Sequence, residues 1–205
     1  DGMVFGKSHP YITKAYPGAE KAVRKLLGDE ADYTIIPTKK GVLRIHSGHG
    51  KKERDENIRI GKYLVEKYGY EIDLVDNPSK KKSADSYNKT LGLTQEYKVN
   101  STPTKGSIDN LLRDAKKQAD DIVLLIDSDI SWGDLRDAIT DRLWRSENVN
   151  SLTIIRDLKD ATYKREDILK SGWEIKQADL FKICLSRGPN PRANRLGMNQ
   201  YKCTI

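Results

Sequence analysis

Hydrophobic and polar positions follow a helical period in some stretches of this chain and a strand pattern in others. Helical spacing of apolar residues predicts helices over residues 52–68, 107–119 and 133–145. Strand patterns, either alternating or unbroken apolar, occupy residues 33–36, 42–45, 70–74, 122–126 and 152–155. Because helices alternate with strands, we predict an α/β fold with a mixed central sheet flanked by helices.

A candidate catalytic strand carries Glu96 and Lys98. Side chains alternate between the two faces of a strand, so these two residues project to the same side. Asp85, eleven positions before Glu96, could lie on the neighbouring strand of a hairpin. Two carboxylates at close range can hold a hard divalent cation such as Mg²⁺. Such a cation, with a nearby lysine, can activate a water molecule and stabilise charge that builds on a phosphate.

Two helices contribute further candidate residues. Glu56 lies four residues before Ile60, which places it at the edge of the buried face of the first helix. Glu53 could compete for this position, and the alternative is that both are solvated first-turn acids favoured by the helix dipole. Gln118, near the end of the helix over 107–119, could reach the site or simply cap that helix.

Histidine and cysteine give weaker indications of a metal site. His46 and His49 flank a Ser-Gly pair, but this glycine-rich loop has no third ligand type nearby in the sequence. A structural or substrate-contacting role is therefore favoured over zinc binding. Cys184 and Cys203 have neither a metal-binding spacing nor a disulfide framework, so both are predicted to be free thiols.

The balance of charge suggests a polyanionic partner. The 205 residues include 37 Lys and Arg against 30 Asp and Glu, which gives a net charge of +7 and a pI near 9.2. Basic side chains gain free energy by releasing counterions from phosphates, although a basic protein without such a partner fits the charge equally well. The candidate nucleic-acid contacts are Lys80, Lys81, Lys82, Lys105 and Lys116. No apolar run approaches the ~20 residues of a membrane-spanning helix, and the first residues lack the pattern of a signal peptide.

Five short motifs occur in a recognisable order: Glu56-Asn57-Ile58, Gly69-Tyr70, Ser83-Ala84-Asp85, Glu96-Tyr97-Lys98 and Lys117-Gln118-Ala119. This order resembles the PD-(D/E)XK nuclease superfamily, whose core is a helix, three strands, a helix and a further strand. More closely, it is similar to the C-terminal tRNase toxin domains of contact-dependent inhibition and related polymorphic toxins. The proline of the family's Pro-Asp element is absent, because Ala84 precedes Asp85. The resemblance spans about residues 51–155.

The resemblance implies a divalent metal site. Asp85 and Glu96 would bind Mg²⁺ or Mn²⁺, with the backbone carbonyl of Tyr97 as a further ligand. Glu56 would bind the metal directly or through water. Without the metal, the two close carboxylates would raise each other's pKa.

The resemblance also implies roles for two other residues and for partners. Lys98 would orient the attacking water or stabilise the transition state, and Gln118 would support the site or contact substrate. The expected substrate is tRNA and the expected inhibitor is a cognate immunity protein. The protein would be a secreted or delivered effector that acts in the cytoplasm of the target cell.

Two other functions are compatible with the sequence. A DNA endonuclease could use the same site, since the basic loop and tail suit either polymer. A non-catalytic nucleic-acid-binding or phage structural module could carry Asp85, Glu96 and Lys98 as a surface ion-pair cluster. We expect an N-terminal extension over residues 1–50, the nuclease-like domain over 51–185, and a basic C-terminal tail over 186–205.

Overall fold

The computed structural model describes residues 32–76 and 83–170, which form one mixed sheet with helices on both faces. Its strands are β1 (Tyr33–Ile36), β2 (Val42–His46), β3 (Glu71–Leu74), β4 (Ser86–Asn88), β5 (Leu93–Asn100), β6 (Asp121–Ile126), β7 (Ser151–Arg156) and β8 (Lys159–Lys164). The helices are α1 (Arg54–Tyr68), α2 (Lys105–Ala115), α3 (Trp132–Trp144) and α4 (Arg165–Lys170). The predicted α/β class with a mixed central sheet is confirmed.

The eight strands lie side by side in the order of the chain. Strands β2 and β3 pair in parallel, as do β5 with β6 and β6 with β7, and the remaining neighbours are antiparallel. The three parallel connections contain α1, α2 and α3, because a parallel pair needs a crossover segment. The three-residue strand β4 forms a hairpin with β5, and this hairpin carries the candidate site.

Each face of the sheet has its own hydrophobic core. On one face, α1 packs Ile60 and Leu64 against β2 and β3. On the other face, α2 and α3 pack against the alternate residues of β6 and β7, including Ile122 and Leu124. Along β5, Tyr97 joins the α1 core, so Glu96 and Lys98 belong to the face that α2 covers.

Glycine is required at two positions where the chain after α1 passes the start of β2. Gly69 ends α1 in the left-handed conformation with φ 73°, and its N–H donates to the carbonyl of Val65. Gly41, in the turn between β1 and β2, has φ +61°, and a Cβ there would lie 2.2 Å from the carbonyl oxygen of Tyr70. These two glycines let the segment after α1 pass close to the start of β2, where the N–H of Val42 donates to the carbonyl of Tyr70 at 3.0 Å.

Two boundaries predicted from the sequence are wrong. Strands β1 and β2 belong to the main sheet, since β2 pairs in parallel with β3 and buries Leu43 and Ile45 against α1. Residues 33–46 are therefore part of the folded domain and not of an extension that ends at residue 50. The second helix ends at Ala115 and not at residue 119, because residues 116–118 form a turn.

Parts of the prediction lie outside the described residues: the segment before residue 32, the lysines at 80–82, and the chain from residue 171 onward, which includes both cysteines and the tail over 186–205. Within the described part of the chain, residues 159–170 form strand β8 and the short helix α4. None of the helices described here is both long and apolar enough to cross a membrane.

Candidate active site

The β4–β5 hairpin brings Asp85 beside Glu96. Its register pairs Ser86 with Gln95, so Asp85 and Glu96 are the next facing positions. Asp85 Oδ2 accepts a hydrogen bond of 3.0 Å from the backbone N–H of Tyr97. The carbonyl of Asp85 accepts a hydrogen bond of 3.0 Å from the N–H of Val75, which ties the residue to the end of β3. The backbone therefore fixes Asp85 at the site.

One oxygen of Glu96 is held by two donors. Glu96 Oε1 accepts from Lys98 Nζ at 2.5 Å and from Gln118 Nε2 at 2.5 Å. Gln118 reaches this position from the turn between α2 and β6, where its N–H donates to the carbonyl of Ala115. Both hydrogen bonds go to Oε1. The second oxygen of Glu96, Oε2, receives neither of them and stays available on the Asp85 side of the site.

The other two carboxylate oxygens receive no hydrogen bond from any residue that the structure describes. Asp85 Oδ1 and Glu96 Oε2 are both buried and unpartnered, and each residue is only 1% exposed. Burying such oxygens without a donor costs free energy, and two adjacent carboxylates also repel each other. A proton or a cation at this position would relieve both costs.

The pKa of Glu96 reflects this environment. Burial, and then repulsion from Asp85, raise it from 4.5 to about 8, although Lys98 opposes the rise. In the metal-free protein at neutral pH, Glu96 thus tends to hold a proton. The pKa of Lys98 is raised as well: burial acts to lower it, but attraction to Glu96 and Asp85 outweighs burial. Lys98 is therefore a fixed positive charge at the site.

The donor set fits a hard divalent ion. Mg²⁺ is typically bound by one or two carboxylates, with waters and substrate phosphate oxygens completing its shell. The unpartnered oxygens of Asp85 and Glu96 provide this carboxylate pair. Among residues 32–76 and 83–170, no group of three or more His, Cys, Asp or Glu residues is arranged to hold a metal. The predicted third carboxylate does not join the pair in this structure.

Of the two positions considered for Glu56, the structure shows the solvated first-turn one and not the edge of the buried face. Glu56 is exposed in the first turn of α1, and the neighbouring Asn57 takes the buried position at 2% exposure. The competing acid, Glu53, directly precedes α1, and its charge contributes to the raised pKa of Lys98. Glu53 is therefore the better candidate for a third acidic residue near the site. The exposed position of Glu56 also leaves it free of any cost from burial.

The two histidines have structural contacts. His49 is 2% exposed, and its Nδ1 lies 2.6 Å from the carbonyl oxygen of Val75 while its Nε2 lies 3.0 Å from Nδ2 of Asn57. Both ring nitrogens are therefore occupied, which leaves none for zinc. His46 Nδ1 accepts from the N–H of Gly48 at 3.0 Å. Of the two roles considered for the histidine pair, the structural one agrees with these contacts.

His49 and Asn57 support the β4–β5 hairpin, and the sequence pattern did not identify this role. Asn57 contacts the ring of His49, and His49 donates to the carbonyl of Val75, whose N–H donates to the carbonyl of Asp85. The only indication in the sequence was a polar Asn57 at a helix position that pointed inward.

The described lysines differ in their distance from the site. Lys116 lies in the same turn as Gln118, next to the carboxylate pair. Lys105 begins α2 at its opposite end, about 16 Å away along an 11-residue helix, and pairs with Asp141 at 2.7 Å. Lys116 is therefore closer than Lys105 to Gln118 along the chain, and both stay candidate nucleic-acid contacts.

Comparisons with known proteins give one weak likeness. No family model matches the chain, and no curated protein matches it. Among solved structures, the chain is similar to a chain of a CdiA-CT/CdiI toxin and immunity complex from Burkholderia pseudomallei. The identity is 18% and the TM-score is 0.41, over 54% of this chain and 83% of the other. A likeness of this size leaves the function to be inferred from the residues of the site.

Proposed function

We propose that this protein is a metal-dependent endonuclease toxin domain that hydrolyses RNA, with tRNA as its substrate. The observation that supports the proposal best is the buried pair of unpartnered oxygens, Asp85 Oδ1 and Glu96 Oε2, beside the ammonium group of Lys98. Phosphodiester hydrolysis needs stabilisation of negative charge in a site that activates water, and these groups are suited to both tasks.

Asp85 and Glu96 would hold Mg²⁺ or Mn²⁺, with the backbone carbonyl of Tyr97 as a further ligand. When bound, such an ion would lower the pKa of a water molecule and offset the charge of the phosphate. The Lys98 ammonium would stabilise negative charge that builds on the phosphate oxygens. Gln118 would keep Glu96 Oε1 engaged, so that Oε2 stays directed at Asp85.

The burial of the site argues against a surface ion-pair cluster. Asp85 and Glu96 are each 1% exposed, whereas a surface ion pair would be solvated. A buried ion pair that served only stability would have its oxygens satisfied by donors, because unsatisfied ones cost about 1–3 kcal/mol each. When Glu96 is ionised, two oxygens of the pair lack a donor among the described residues, which supports a role in binding a cation.

The substrate and the biological setting rest on the motif resemblance. The net charge of +7 suits RNA and DNA alike, so a DNA endonuclease with the same site is the alternative that the experiment must separate. The proposed toxin would be a delivered effector that acts in the cytoplasm of the target cell and is neutralised by a cognate immunity protein.

The test is a gel assay in which the protein is incubated with total RNA or plasmid DNA, in Mg²⁺ or in EDTA. We expect loss of the tRNA band with Mg²⁺ only, and no loss with Glu96→Ala. Glu56→Ala is a matched control, since it removes an exposed carboxylate. Nicking of the plasmid instead would identify a DNA enzyme, and no change in either polymer would refute nuclease activity.

A further inference from the structure

A second concave site lies on the sheet face opposite to Glu96 and Lys98. It is a groove of about 780 Å³ beyond the end of α1, and its floor is formed by β5 to β8. Leu64, Tyr68 and Tyr70 line one side of the groove, and Leu91 and Leu93 line another. None of the four residues that meet at the candidate active site lines it, so the groove is a separate feature of the protein.

The floor of the groove contains a row of polar residues on adjacent strands. The sheet register pairs Gln95 with Asp121, Asp121 with Ser151, and Ser151 with Lys164. Ser151 Oγ donates to Asp121 Oδ1 at 2.5 Å, and the described residues provide no donor to the second carboxylate oxygen. Asp121 is only 7% exposed. Its second oxygen has no donor among the described residues and is not sealed from solvent, so it is open to a ligand at the floor of the groove.

Gln95 adds a second acceptor at the neighbouring position. Its Oε1 is buried with no hydrogen-bond partner in residues 32–76 and 83–170, and the residue is 7% exposed. A buried acceptor without a donor costs about 1–3 kcal/mol, which a bound ligand can recover by donating to it. Because Gln95 and Asp121 are register partners on parallel strands, about 4.8 Å apart, a single planar group could donate to both.

Two adjacent acceptors select a ligand with two adjacent N–H donors. Among the nucleobases, guanine has this arrangement on its Watson–Crick edge, where N1–H lies beside the amino group at C2. Adenine and cytosine place a ring acceptor beside their amino group, and uracil places its N–H between two carbonyls. Each of these three bases would place one of its acceptor atoms against the acceptor oxygen of Asp121 or Gln95, and two acceptors repel each other.

The rest of the groove suits the body of a nucleotide. Tyr68 and Tyr70 stack on each other with centroids 5.0 Å apart, and with Leu93 they form a flat apolar wall for a base. Lys164 lies two strand spacings from Asp121, about 10 Å across the sheet. This is comparable to the span from the base edge to the 5′-phosphate of a mononucleotide, so Lys164 could contact the phosphate.

We infer that this groove binds a guanine base, through Asp121 and Gln95. The base comes either from a free guanine nucleotide or from a guanosine within an RNA strand. This inference does not depend on nuclease activity, because binding can be measured in EDTA, where a metal-dependent nuclease is inactive.

The test is calorimetric titration of the full chain in EDTA with GMP, AMP and XMP, and with short RNA strands that contain a single G or a single A. The protein variants are Asp121→Asn and the matched control Asp120→Asn, which makes the same change at the exposed neighbour. We expect the wild-type protein and Asp120→Asn to bind GMP at least about tenfold more tightly than AMP. In Asp121→Asn, an amide N–H₂ faces the ligand, so GMP binding should fall and XMP binding should rise, because xanthine has a carbonyl at C2.

The gain of XMP binding keeps the test independent of protein folding, since a misfolded variant could not gain affinity. Tighter binding of GMP than of the G-containing strand identifies a free nucleotide as the ligand, and the reverse order identifies RNA. Equal binding of GMP and AMP, absence of binding, or an unchanged preference in Asp121→Asn would each overturn the inference.

Discussion

Replacing Glu96 with glutamine should stabilise the metal-free protein at alkaline pH. The amide oxygen of glutamine can still accept from Lys98 and Gln118, as Oε1 does now. Its N–H₂ group would stand where Oε2 stands and could donate to the unpartnered Oδ1 of Asp85. The substitution therefore removes a buried charge and supplies a missing donor with almost no change in shape.

The magnitude follows from the pKa of Glu96, which is raised from 4.5 to about 8. Between these pH values the folded protein holds a proton that the unfolded chain has released, so the free energy of unfolding falls as pH rises. The loss begins above the unfolded pKa and is complete once pH passes the folded pKa. At about 1.36 kcal/mol per pKa unit its upper bound is about 5 kcal/mol. Relaxation of a buried pair reduces this, and we expect on the order of 2–3 kcal/mol.

The assay is thermal unfolding in EDTA at pH 5 and pH 9. The melting temperature of the wild-type protein should fall between these pH values by about 5–10 °C more than that of Glu96→Gln, given about 2–4 °C per kcal/mol. Glu56→Gln, which alters an exposed acid, should follow the wild-type protein. Parallel pH profiles for all three proteins would refute the claim that Glu96 holds its proton unusually tightly.

Four further predictions concern single features. Lys98→Met should lower cleavage by about 100-fold or more with an unchanged circular dichroism spectrum; near wild-type turnover would exclude Lys98 from catalysis. Glu53→Gln should lower the cleavage rate several-fold more than Glu56→Gln, and the reverse order would restore the original assignment of Glu56. Asp160→Asn should lower the free energy of unfolding by about 2–3 kcal/mol, measured by chemical denaturation. The reason is that the Asp160 carboxylate accepts hydrogen bonds from Tyr63 at 2.5 Å and also from Lys67 and Tyr68. An unchanged denaturation midpoint would contradict this. Replacing the lysines at 80–82 with glutamine should reduce the salt slope of RNA binding by about two to three, and an identical slope would remove that segment from the interface.

The sequence predicted the hairpin that carries the candidate site because the relevant physics is local. Alternation places Glu96 and Lys98 on one face, and the short spacing to Asp85 suits the facing strand of a hairpin. The structure brings Asp85, Glu96, Lys98 and Gln118 together. What the sequence could not show is that Gln118 acts from a turn and not from a helix.

The errors occur where distant parts of the chain decide the outcome. One residue turns a helix by about 100°, so Glu56, directly before the buried Asn57, falls outside the buried face of α1 instead of on its edge. Asn57 can be buried only because His49 and its loop satisfy it, and a periodic pattern does not contain that contact. Strand β2 was assigned to an extension because its parallel partner β3 follows a whole helix later. Gln95 and Asp121 likewise become neighbours only through the pairing of β5 with β6, and the sequence of neither strand alone encodes that register.

The central claim is that Asp85 and Glu96 form a divalent metal site, and a calorimetric titration with Mn²⁺ near neutral pH tests it most directly. The account predicts one ion per chain for the wild-type protein, with release of a proton as the ion displaces it from Glu96. Asp85→Asn and Glu96→Gln should abolish this binding, while Glu56→Gln should retain it. Binding of Mn²⁺ that persists in both of the first two variants, or its absence from the wild-type protein, would contradict the account.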